Sequence, residues 1–264
     1  MLDFVVFVEA GRFGNALFRY LAASLFSIKY NMIYTFNKTL SAVHIDDSSF
    51  FEKLETHSQG ENIVMGGFFQ FDDIYIKHKA AILEYANKNK NIHHIGFNKS
   101  TIRMNQVIDD IELGPSQIYD IAIHVRLDDF IGRPDFIEPE YYIRLFDQVK
   151  NQFNGKKIAI VIDRLKYQVE VDFIQTLLNW FKTNNITVAI ESNNMWIDFN
   201  ILKQAKTIVC SMSTFSWMAA YFSKSAETCY MPNYNFGKER PTQTFKRPIE
   251  NTIFYDVKTT SSIY

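Results

Sequence analysis

His124 and Arg126 stand two residues apart at the end of an apolar, β-branched run, with Asp128 and Asp129 just beyond. A buried strand of a parallel sheet has little use for such side chains except where it leaves the core, at its carboxyl end. In open α/β sheets that edge is where ligands bind. A guanidinium there offers a planar fork of donors suited to phosphate oxygens. The plainer alternative is a loop salt bridge between Arg126 and Asp129. Asp163 closes a second apolar run, where an acidic residue often hydrogen-bonds a ribose. Asp128 or Asp129 is a candidate base for a transfer to a hydroxyl.

Three further stretches carry polar chemistry. Ser211-Met212-Ser213-Thr214-Phe215-Ser216-Trp217 follows a buried run and opens a helix. Its hydroxyls and free helix N–H groups could converge on an anion, or could simply cap the helix. Gly11-Arg12-Phe13-Gly14-Asn15 lies between an apolar run and a long helical stretch. It is neither the dinucleotide fingerprint nor a P-loop, and an ordinary turn capped by Asn15 is the alternative. Gly66-Gly67-Phe68-Phe69-Gln70 puts an amide after two rings, suited to a polyol with a ring against an apolar sugar face. A core edge with Gln70 at the surface is the alternative. Asp198 opens a helix and reads as an N-terminal stabiliser.

The elements that must position these residues form two α/β halves, 1–116 and 117–264, meeting at the mid-chain Gly114-Pro115. In the second half, strands at 118–125, 157–162, 186–190, 207–212 and 227–231 alternate with helices at 138–150, 167–182, 196–206 and 215–223. That alternation makes βαβ units and a Rossmann-like domain. Val169, Phe173, Leu177 and Phe181 are expected on one buried helix face. The first half has strands at 4–8, 32–36 and 62–65 and helices at 15–30 and 76–87. An irregular tail follows 232. Two such domains imply a cleft between them.

The 264 residues carry 28 basic and 29 acidic side chains, a net charge of −1. That balance argues against nucleic acid or an anionic membrane as partner, so any anion site is local. Cys210 and Cys229 provide neither a disulfide framework nor a zinc set. His44, His57, His78, His93 and His94 have non-ligand spacings and read as surface or loop residues. No apolar stretch is long enough for a membrane span, and no basic leader precedes the first apolar run. The expectation is a soluble cytoplasmic protein.

Taken in order, four segments resemble the α-1,2-fucosyltransferases of glycosyltransferase family 11. Gly11 to Tyr20 resembles GGLGNQMFQY. Gly67-Phe68-Phe69-Gln70, with Tyr75 following, is similar to GYFQ…Y. His124 to Asp129 is similar to HVRRGD, and Ser211 to Trp217 to SNSSFSW, with a fitting distance back to Asp198. The resemblance implies a GT-B-like fold and an inverting, metal-independent transfer of a sugar from a nucleotide diphosphate to a glycan hydroxyl. It implies Arg126 on the donor diphosphate and the Ser213-Thr214-Phe215 helix start on the nucleotide; Ser216, Asp163, Gly11, Gly14 and Asn15 are further expected on the donor. Asp129 and His124 fall near the reacting centre, and Gln70, Phe69 and Asp128 near the acceptor. No metal or other cofactor is expected. Leu127 and Met212 replace an arginine and an asparagine, and Asp128 a glycine. GDP-fucose is the first donor expectation, with a UDP-sugar such as UDP-xylose, or a non-catalytic binder, as alternatives.

Overall fold

The computed structural model describes residues 4–7, 12–35, 42–97, 100–133, 136–233 and 246–257. The chain divides into two compact units, Met1–Asp110 and Ile111–Tyr264.

In the first unit, β1 (Phe4–Phe7) leads to α1 (Phe13–Tyr30), then β2 (Ile33–Thr35), β3 (Val43–Ile45), α2 (Phe50–Thr56) and β4 (Ile63–Met65). The strands form a parallel sheet in the order β2-β1-β4-β3. Helices α3 (Asp72–Lys77) and α4 (Lys79–Asn89), a hairpin of β5 (His94–Phe97) and β6 (Ser100–Arg103), and α5 (Asn105–Ile108) complete it. Alpha-1 is apolar nearly all round and is buried along most of its length, as a helix hydrophobic on every face must be. It ends at Asn31, whose φ of 55° gives the left-handed cap that asparagine tolerates. The expected helix at 76–87 is two helices hinged at His78, and β3, α2 and the hairpin were not anticipated.

In the second unit, β7 (Ile121–Val125), α6 (Pro139–Val149), β8 (Ile158–Ile162), α7 (Gln168–Thr183) and β9 (Val188–Glu191) are followed by α8 (Met195–Gln204), β10 (Thr207–Val209), α9 (Thr214–Phe222), β11 (Thr228–Asn233) and β12 (Thr252–Asp256). All six strands are parallel, in the order β12-β11-β10-β7-β8-β9. Counted along the unit, that is the doubly wound order, and it reverses between β7 and β10. The tail after 232 is therefore not all irregular: β12 closes the sheet edge.

Strand parity divides the side chains. Ile121, Ile123 and Val125 of β7 and Ile158, Ile160 and Ile162 of β8 enter one core with Leu145, Phe146, Phe173, Leu177 and Phe181. Ala122, His124 and Ala159 alternate with them and take the opposite face. Within α7, Val169 is not on the buried face but 53% exposed. A four-residue step overshoots a helical turn by about 40°, so the stripe walks off the core, and Glu170 and Ile174 fill the face instead.

Candidate functional site

The register of the central strands assembles the site. Beta-7 and β8 pair Val125 with Ile162, so the next residues, Arg126 and Asp163, leave the sheet side by side. One guanidinium nitrogen of Arg126 meets Asp163 Oδ2 at 2.6 Å, and the other meets Asp129 Oδ1 at 2.6 Å. The Phe130 ring lies 5.5 Å from the guanidinium carbon. The salt bridge weighed as the plainer alternative is present, and it has a second carboxylate. The Arg126 side chain is 12% exposed, while those of Asp129 and Asp163 are 38% and 55% exposed.

The loop bearing Asp129 is fixed from α7. Glu170, buried, accepts N–H bonds from Asp128, Lys166 and Tyr167. Asp128 sits at a φ of 46° and its carboxylate pairs with Lys166 at 2.9 Å, so that side chain is already engaged. Leu127 and Met212, the two departures from the resembling motifs, are buried core residues.

Across the reversal point, His124 Nδ1 lies 2.7 Å from Ser211 Oγ. The imidazole packs on Phe215, centroids 5.4 Å apart, and Phe215 on Phe199 at 5.5 Å. Burial pushes His124 down to about 4 against the opposing pull of Asp163, so the ring is neutral at pH 7 and supplies polarity rather than charge. Ser213 caps α9, its Oγ accepting the Phe215 N–H at 3.2 Å, and Thr214 begins the helix. Ser216 is corrected as a donor-binding residue: it is fully buried and its hydroxyl donates back to the Ser213 carbonyl.

Asp198 belongs to this corner, although its place at a helix start suggested only a stabiliser. It is buried in the first turn of α8 and accepts from Asn193 N–H and Nδ2. Burial, with Asp163 and Glu191 nearby, raises its carboxyl to about 6. Strand parity on β8, which sends Asp163 toward the α8 side, is the signal that would have found it.

The first-unit candidates converge separately. Gln70 Nε2 donates to Asn15 Oδ1 at 3.0 Å, joining the start of α1 to the loop after β4; Gly14 is buried beside Asn15. Gly11 lies outside the described residues. The Gly67 loop is pinned from several sides. Asp47 accepts the Phe68 and Phe69 N–H groups, Arg19 Nε donates to the Gly67 carbonyl at 2.7 Å, and Tyr75 Oη donates to the Phe69 carbonyl. Phe69, at a φ of 52°, is fully buried against Phe50. It is therefore not available to stack on a ligand; the exposed ring is Phe68, with Arg19 5.4 Å from its centroid. His93 also departs from expectation: it is buried between Tyr20 and Tyr85. Among the described residues, no three His, Cys, Asp or Glu side chains gather as metal ligands, and no helix is long and apolar enough to cross a membrane.

No family model matches the chain, and no curated protein does. Among solved structures it is similar to a mutant of Arabidopsis thaliana FUT1 in complex with GDP, with a TM-score of 0.48 and 9% identity over 83% of this chain and 68% of that one. It is also similar to E. coli heptosyltransferase WaaC with ADP, at TM-score 0.47 and 9% identity over 97% and 94% of the two chains. A third likeness is to POFUT1 in complex with GDP, at TM-score 0.39 and 10% identity over 85% and 96%.

Proposed function

We propose that the chain is a GT-B-like glycosyltransferase that moves a sugar from a nucleotide diphosphate to a glycan hydroxyl, with inversion and without a metal. The observation that carries this reading is the gathering of Arg126, His124, Ser213 and Thr214 at the carboxyl edge of the sheet where the strand order reverses between β7 and β10. That crevice is where doubly wound folds take nucleotides. The sequence resemblance reaches the same residues independently.

In the proposed reaction an acceptor oxygen attacks the anomeric carbon, the bond to the diphosphate breaks, and the acceptor proton passes to a carboxylate. Negative charge grows on the leaving diphosphate. Arg126 and the N–H groups of α9 would stabilise it electrostatically, with Asp163 toward the ribose. Asp129 is the proposed base once the incoming diphosphate takes its place on Arg126, whereas Asp128 keeps its pairing with Lys166. Asn15 and Gln70 belong to the acceptor-side unit in this reading. GDP-fucose is the proposed donor, and a UDP-sugar such as UDP-xylose the next.

Thermal unfolding against a panel of GDP- and UDP-sugars tests the proposal. At least one donor should raise the midpoint, and that donor should be consumed when a glycan acceptor is added. No shift with any of them would overturn it. The carboxylates on both ends of Arg126 favour a second reading, a binder that does not transfer. It predicts a shift without donor consumption.

A further inference from the structure

Arg126 is the strongest anion-binding group proposed for the site, yet both ends of its guanidinium are taken by carboxylates at 2.6 Å. One positive and two negative charges leave this trio at −1, a poor reception for a diphosphate. The carboxylates are built to let go. Asp129 and Asp163 are far more exposed than Arg126, so water can receive them at little cost. The guanidinium itself stays in place over Phe130. Asp163 also has somewhere to go: it ends β8, the strand next to β7, where an acidic group commonly accepts from a ribose diol.

We infer that Asp129 and Asp163 form a carboxylate clamp on Arg126 that an incoming diphosphate must displace, with Asp163 passing from the guanidinium to the ribose. This rests on the nucleotide-diphosphate reading above. The clamp lowers affinity for bare pyrophosphate, which has no diol to repay Asp163, and so selects for a complete nucleotide. The pairing follows from the β7–β8 register, which sets residue 126 beside residue 163.

Titration calorimetry of the full chain with inorganic pyrophosphate, UDP and GDP tests this. Asp163→Asn should tighten pyrophosphate by about two- to fivefold, the worth of one partly exposed ion pair. The same variant should bind its preferred nucleoside diphosphate no more tightly than wild type, so the preference for nucleotide over pyrophosphate narrows. Asp129→Asn should tighten both. Asp128→Asn removes the same charge one residue away, from a carboxylate paired with Lys166 instead, and should change pyrophosphate binding little. Equal tightening by Asp128→Asn would replace the clamp with a general field effect. Unchanged or weaker pyrophosphate binding in Asp163→Asn would overturn the clamp while leaving the donor site standing. Absence of pyrophosphate and nucleotide binding in wild type and all variants would overturn donor site and clamp together.

Discussion

At the scale of single residues, Arg126 decides most. Its removal takes away the cation that the end of β7 presents and breaks the two ion pairs it makes with Asp129 and Asp163. In the proposed transfer, Arg126→Ala should lower kcat by about 100- to 1,000-fold, the loss seen when one strong donor to a developing anion is removed. The fold should survive, because both carboxylates are exposed enough to turn to water. Steady-state turnover of the best donor checks this, and undiminished kcat would strike Arg126 from the reaction. Arg126, Asp129 and Asp163 were legible in the sequence because charged groups ending apolar runs have few places to sit. The pairing of Arg126 with Asp163 was not, since it depends on which strands are neighbours. The bond between Ser211 and His124 was hidden similarly, since it crosses from the residues after β10 to β7. Ser216 misled because a serine in the first turn of a helix looks the same whether it faces a ligand or the helix's own carbonyls.

At the scale of elements, the second unit was readable because parallel strands buried on both faces are continuous apolar runs, such as Ile158–Ile162. Beta-3 presents no such run: it holds His44 and is mostly exposed, so it was missed. Beta-12, a five-residue edge strand with Ile253 and Phe254 exposed, escaped because its apolar residues are not buried as a run. The Gly67 loop shows why its glycine is needed. A Cβ there would stand 2.8 Å from the Asp47 backbone nitrogen and 2.9 Å from its carboxylate, while that same carboxylate holds the next two N–H groups. Gly67→Ala must therefore push apart a turn already held by Arg19 and Tyr75. The expected cost is about 1–3 kcal/mol, typical of overpacking, read as a lower denaturation midpoint with an unchanged denaturant slope. Gly60, with nothing within 4 Å of its would-be Cβ but a φ of 95°, should feel an alanine only through its backbone.

At the scale of the whole molecule, three buried titratable groups set an uneven response to acid. Burial holds His93 in the first unit and His124 in the second near about 4, below the ordinary histidine value of 6.5. A folded state that refuses a proton the unfolded chain accepts is fully stable above 6.5 and loses stability as pH falls toward 4. Asp198 works in the opposite direction. Its carboxyl, raised to about 6 from an ordinary 3.8, keeps a proton that the unfolded chain gives up, so folding is penalised as pH rises through that window and relieved as pH falls. In the second unit the two effects have opposite sign between about pH 6 and 4 and oppose each other. Glu138, raised by burial, acts alongside Asp198, and Glu170, held low against its burial by its N–H bonds, acts alongside His124. Among the described residues of the first unit no raised carboxyl opposes His93: Asp46, held down to about 2 by Ser48 and Ser49, titrates below the window. Hydrogen exchange at pH 7 and pH 5 should show protection falling more in the first unit than in the second. Asp198→Asn keeps an oxygen for Asn193 but removes the offset, so its second unit should become acid-sensitive, with unfolding midpoints that drop more steeply than wild type from pH 6.5 to 4.5. Parallel pH profiles for the two proteins would mean that Asp198 is ionised in the folded state throughout, and that the corner around Asp163 is wetter than its burial indicates.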